Sequence, residues 1–168
     1  MSAWVQRTFS TRDKNAMTTM WNSRIRPILD YCSPLWSPCP SNYNNIDLLE
    51  ETQRSFTRSI NGTNGLNYVQ RLKFTKLYSV QRRHERYKII YIYKIKENKV
   101  PNISSTHGIQ FYLNKRHGCM SKMPPYPLHH NLAVTARNSS FALTACSLWN
   151  CLPKHIRNIS GLSVKAFK

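Results

Sequence analysis

Arg26-Pro27-Ile28-Leu29-Asp30-Tyr31-Cys32-Ser33-Pro34-Leu35-Trp36-Ser37-Pro38 is the stretch on which the organisation of the chain turns. Upstream of its centre, residues 11–31 read as a helix. Met17, Met20, Trp21, Ile25, Ile28 and Leu29 fall near helical spacing, and Thr11 or Asp13 can cap the start. Pro27 lies inside that run, lacks a backbone donor and is expected to kink or divide the helix. Pro34, Pro38 and Pro40 then forbid helix and force an extended turn. Tyr31 and Trp36 are the large side chains available to pin that turn to a core. Asp30 has no second carboxylate beside it for acid–base work.

Downstream, residues 45–60 form the clearest helix. Ile46, Leu49, Gln53, Phe56 and Ile60 make one stripe, with Asn44 or Asn45 as N-cap. Asp47, Glu50 and Glu51 precede Arg54 and Arg58, the order that suits a helix dipole. Asn61-Gly62 and Asn64-Gly65 stop it. A short helix over 68–74 follows, capped by Asn67, and then a long one over 79–97. Val80, His84, Tyr87, Tyr91 and Ile95 mark one face of the long helix, and Arg82, Arg86, Ile89, Tyr93 and Lys96 the opposite one. Residues 101–136 read as an irregular, Pro-containing connection with at most a small hairpin, Ile109 to Leu113 supplying one strand. Phe141, Ala145, Leu148, Trp149 and Leu152 return to helical spacing before Pro153, and Ser160 caps a last turn carrying Val164 and Phe167. The expected fold class is mainly α: a helical bundle over 1–100, the connection 101–136, and a C-terminal helical segment 137–168.

Charge narrows the function. The 168 residues hold 25 Lys and Arg against 7 Asp and Glu, a formal +18. Such a surplus opposes compaction unless an anion neutralises it, and nucleic acid is the usual one. No carboxylate follows Glu97, so the last 71 residues cannot supply a paired-carboxylate or carboxylate metal site. Asp47, Glu50 and Glu51 are the nearest thing to a metal cluster, and a helix start accounts for them equally well. Cys32, Cys39, Cys119, Cys146 and Cys151 fit no disulfide framework or C-x-x-C zinc spacing, and reduced thiols in an intracellular protein are the plainer reading. No glycine-rich phosphate loop occurs, residues 1–10 contain no signal-like apolar run, and no run of apolar residues is long enough to span a membrane. No small-molecule substrate is indicated.

What remains is a basic helical surface. Arg82, Arg83, Arg86 and Lys96 can follow a phosphate backbone, Tyr93 can stack on a base or sugar, and Arg54 and Arg58 add charge nearby. The plainer alternative is a solvated basic helix with Tyr93 packed locally.

The opening stretch resembles a segment that follows the catalytic palm in reverse transcriptases of jockey-like non-LTR retrotransposons, R-P-x-L-[ED]-Y-x-x-x-[VL]-W-x-P, and matches each fixed place. Asp47 to Arg54 resembles the family's next helix, L-E-x-[VT]-Q-R-R, with Ser55 where a second Arg is common. Asn67 to Leu72 resembles S-Y-E-E-R-L, Gln81 to Arg86 E-x-R-R-x-R, and Tyr93 to Ile95 Y-K-I. Trp149 to Ile156 resembles W-N-x-L-P-x-x-[IV], and Leu162 to Lys168 the closing L-x-x-F-K.

The resemblance implies a helical thumb and C-terminal region of an RNA-directed DNA polymerase, gripping an RNA–DNA or DNA template–primer duplex. It places the fingers, the palm with its aromatic-x-Asp-Asp loop and the endonuclease upstream of Met1. Mg2+ would belong to that palm, and no cofactor to this chain. No Asp-Asp pair occurs in the sequence, so no catalytic residue and no polymerase activity are expected of this chain alone. The thumb would expose apolar surface that packs on the palm, and would act in the nucleus. In the family pattern Asp30 holds a structural place, and Tyr31, Trp36 and Trp149 are read as structural anchors. The competing readings are a host nucleic-acid-binding protein without enzymatic ancestry, and an interaction module for an acidic protein.

Overall fold

A computed structural model describes residues 7, 10–36, 43–100, 109–122, 141–161 and 163. It is mainly helical with a small two-stranded sheet. The elements are α1 (Lys14–Met20), a π-helical turn (Trp21–Ile25), α2 (Arg26–Asp30), α3 (Ser33–Trp36), α4 (Tyr43–Arg58), α5 (Tyr68–Thr75), α6 (Val80–Lys96), β1 (Gln110–Asn114), β2 (Gly118–Lys122), α7 (Phe141–Asn150) and α8 (Lys154–Arg157). The chain divides into two compact units: residues 1–33 with 42–84, and residues 34–41 with 85–168. The sequence division near residue 100 follows element type, whereas these units follow packing.

In the first unit, Asp13 caps α1, its Oδ2 accepting from the Asn15 and Ala16 amides at 2.9 and 3.2 Å. Pro27 does not break the run. The turn before it widens to π geometry, the Arg26 amide reaches back to the Trp21 carbonyl, and Pro27 falls in the first turn of α2, where a missing amide costs little. The expected extended turn after Tyr31 is also corrected. Cys32 takes a left-handed backbone angle (φ 49°), after which Ser33–Trp36 is a short helix with Pro34 in its first turn. Pro38 and Pro40 lie outside the described residues.

Helix α4 begins at Tyr43, so Asn44 and Asn45 are inside it and neither is its cap. Its stripe packs as the spacing requires. Phe56 and Ile60 join Met17, Trp21 and Ile25 in one core, and the rings of Trp21 and Phe56 lie 4.9 Å apart. Each large side chain fully buried there contributes about 1.5–3 kcal/mol. Asn67 caps α5 through a reciprocal box with Gln70.

In the second unit, Ile92, Tyr93 and Ile95 of α6 pack with Ile109, Ala145, Cys146 and Trp149. The expected small hairpin is present. β1 pairs antiparallel with β2, Tyr112 opposite Met120. Asn114 Oδ1 holds the turn by accepting from the Arg116 and His117 amides. Gly118 has φ 75°, and a Cβ there would be strained and would have to displace the Asn158 side chain. Pro153 ends the helical run of α7 as expected, but the chain resumes at once as α8, which the sequence reading omits. The expected turn at Val164 and Phe167 lies outside the described residues.

Candidate nucleic-acid interface

The first unit carries a groove of about 590 Å³ lined by α5, the link after it and the first turn of α6. Val69, Leu72 and Leu77 give it apolar lining, and Tyr68 and Tyr78 aromatic lining. Lys73, Lys76 and Arg82 line it and are exposed, and no carboxylate does. Among the described residues none of these three cations takes part in an ion pair.

The groove is held from beneath by buried polar side chains. Glu50, inside the core, accepts from the Tyr68 hydroxyl and, at 2.9 Å, from the Gln81 amide at the start of α6. It thereby supplies a negative group where the α6 dipole is positive. Arg54 and Arg71 lie over the Tyr68 ring at 5.3 and 5.8 Å, which restrains that ring. Burial, and then the bond to Glu50, push the Tyr68 phenol well above its ordinary value of 10.0. The fold therefore favours the protonated phenol. That stabilisation is complete below pH 10.0 and declines above it, where the unfolded chain loses the proton first. With denaturation curves taken from about pH 8 to 11, wild type is expected to lose stability relative to Tyr68→Phe as pH passes 10. Parallel pH profiles would show that the phenol is not held by Glu50.

The Tyr78 lining depends on Arg83. Its Nε donates to Asp30 at 3.3 Å, and its Nη1 donates to Gln53 Oε1 at 3.1 Å and to the Tyr78 carbonyl at 2.9 Å. Gln53 Nε2 also donates to the Tyr78 carbonyl, at 3.0 Å. Asp30 further pairs with Arg26 at 3.1 Å, and His84 Nε2 lies 3.7 Å from it and 3.0 Å from the Leu29 carbonyl. Asp30 is thus engaged in structural contacts.

The sequence-derived binding residues fall into distinct places. Arg82 lies at the groove. Arg83, 4% exposed, is interior and cannot reach a phosphate without unfolding its surroundings. Arg54 and Arg58 meet Asp47 and Glu51 on the surface of α4, in pairs at 3.4–3.7 Å that contribute at most about 1 kcal/mol each. Arg54 thus bridges Asp47 and Glu51 on the surface, while Glu50 is buried. Among the described residues no group of His, Cys, Asp and Glu is placed to hold a metal ion.

The remaining binding candidates lie in the second unit. Arg86 is exposed there. Tyr93 is fully buried, so it is a core residue and not a base-stacking platform. Lys96 is turned inward: its Nζ donates to the carbonyls of Arg157 at 3.1 Å and Ile159 at 2.6 Å, and Glu97 lies 3.9 Å away. Peptide oxygens seat other cations the same way, Leu66 for Arg71 at 2.9 Å and Lys115 for Lys154 at 3.4 Å. Of the expected structural anchors, Trp149 is fully buried, but Tyr31 is 76% and Trp36 43% exposed.

Cys32, Cys119, Cys146 and Cys151 are free thiols, and burial pushes the Cys146 thiol above its ordinary value. No described helix is long and apolar enough to cross a membrane. Tyr78 is the residue sequence reasoning missed: it lies in a non-helical link of four residues, where periodicity carries no signal. Comparison with protein-family models, with curated proteins and with solved structures found no match.

Proposed function

We propose that this chain is a non-catalytic part of a retrotransposon RNA-directed DNA polymerase, binding template–primer duplex through a basic helical surface. The observation that carries the reading is where the charge lies. Asp13, Asp30, Asp47, Glu50, Glu51 and Glu97 are engaged in caps, ion pairs and buried bonds, while Lys73, Lys76 and Arg82 stand exposed together. A chain of formal charge +18 arranged this way meets a polyanion without first losing internal contacts.

The mainly helical fold is compatible with a thumb. Ile28, Tyr31 and Leu48, 54–76% exposed, offer the kind of surface a palm would cover. Mg2+ and the polymerisation chemistry belong to that palm, and the site of action is the nucleus.

Duplex affinity should fall linearly in a double-logarithmic plot against salt, because each neutralised phosphate releases counterions. Arg82→Ala is expected to reduce the slope by about 0.9 without changing the melting temperature. Filter binding to an RNA–DNA hybrid across a salt series measures it. Salt-independent binding, or tighter binding to polyglutamate than to the hybrid, would overturn the reading.

A further inference from the structure

We infer that the groove between Tyr68 and Tyr78 takes an unpaired nucleotide of a single strand, its base against Tyr78 and its phosphates among Lys73, Lys76 and Arg82. The inference rests on the nucleic-acid reading above and adds which part of the substrate the groove takes. Three features point to this occupant.

The first is composition. A paired duplex hides the faces of its bases and presents phosphates, so duplex binding alone needs charge and no apolar recess. This groove is lined by three apolar side chains and two tyrosines, of which Tyr78 is the more exposed, and such a lining suits the π-face of an unstacked base. Its volume, about 590 Å³, lies within the range of small-ligand sites. The cations with no acid among them select an anionic occupant.

The second is how Tyr78 is held. Its carbonyl is gripped by Gln53 and Arg83, both in the interior, yet the residue is 60% exposed. The backbone is fixed while the ring remains accessible, the arrangement a stacking platform requires.

The third is strain at Lys76. It closes α5 with φ 55°, the amides of Lys76 and Leu77 reaching back to the Leu72 carbonyl. Glycine adopts that conformation without penalty, whereas here it is held by a cation that lines the groove.

The test compares two probes, a blunt RNA–DNA hybrid and the same hybrid with a short single-stranded overhang carrying 2-aminopurine. Wild type should bind the overhang probe more tightly and quench its fluorescence. Tyr78→Ala should weaken that binding roughly tenfold, the loss of one stacked base, and abolish the quench, with blunt-hybrid affinity unchanged. Tyr78→Phe should retain both. Lys76→Gly should raise the melting temperature yet weaken overhang binding, which separates site loss from misfolding.

Unchanged overhang affinity in Tyr78→Ala, or an equal loss on both probes, would overturn the inference and leave duplex binding intact. Displacement of the overhang by an equimolar nucleoside monophosphate would overturn the assignment to a strand. Failure of wild type to bind either hybrid at low salt would overturn the nucleic-acid reading itself, and this inference with it.

Discussion

Replacing Arg83 with alanine is expected to lower the unfolding free energy by about 3–5 kcal/mol, the usual result of removing one partner from a buried charged pair. The side chains of Arg83 and Asp30 are 5% and 12% exposed. Without the guanidinium, Asp30 keeps Arg26 and His84, but Gln53 Oε1 loses its donor and the Tyr78 carbonyl loses one of two. The hub also carries an internal cost, because Arg83 Nη2 is buried with no hydrogen-bond partner among the described residues. Deleting the side chain relieves that donor while stranding its partners, so the net effect stays destabilising.

Arg83→Lys should fall nearly as far, since one ammonium cannot span a carboxylate, an amide and a carbonyl in the geometry of a planar fork. The adjacent exposed Arg82→Ala should stay within about 0.5 kcal/mol of wild type. Urea midpoints for the three variants decide the matter. A stable Arg83→Ala protein with a reduced salt slope for duplex binding would mean that Arg83 faces nucleic acid after all.

Trp149→Ala is the second large effect, about 3–5 kcal/mol for a fully buried indole. The ring meets Phe111 edge-on at 6.2 Å, and its Nε1 donates to the Cys119 carbonyl at 3.3 Å. Beside it, Asn150 accepts from the Ser121 amide at 3.0 Å and donates to the Ser121 carbonyl at 2.9 Å, which continues the hairpin's backbone pairing into a side chain. One helix thus docks the hairpin by an apolar ring and a two-bond amide clasp. Truncation should remove hydrogen-exchange protection from 110–122 and lower the denaturation midpoint. A variant with wild-type midpoint and unchanged protection of the hairpin would show that the indole does not hold it.

Much of this was readable in the residues. Of the stripe read over 45–60, Ile46, Gln53, Phe56 and Ile60 are buried and Leu49 is half-buried, because the spacing puts those side chains on one face. The caps at Asp13 and Asn67 and a strand near 109–113, found at 110–114, were legible because such signals are local. Arg83, Tyr93 and Lys96 were misplaced for one physical reason. A single-stripe reading of α6 assumes one core, whereas its first residues belong to one compact unit and the rest to another, and each unit buries its own set. Pro27 and Pro34 looked like breaks because the π turn and a helix restart at Ser33 have no signature in side-chain pattern. The groove was visible in the sequence only through Arg82, since Tyr78 gains its place through its carbonyl, which sequence does not display.

The seating of cations on peptide oxygens has a consequence at long range. A carboxylate that holds a lysine cancels its charge, whereas a carbonyl holds it and leaves the monopole intact. Arg71 and Lys154 are therefore ordered by the fold yet still counted by the far field. With so few acids, the chain organises its interior without dimming the potential it projects beyond its surface. Its counter-charge must come from the surroundings, as a condensed atmosphere of mobile anions that thins as a polyanion arrives. Several Debye lengths away, about 8 Å each at physiological ionic strength, that field fades into the salt. Closer in, it acts before any side chain makes contact and turns encounter with a polyanion into a directed event.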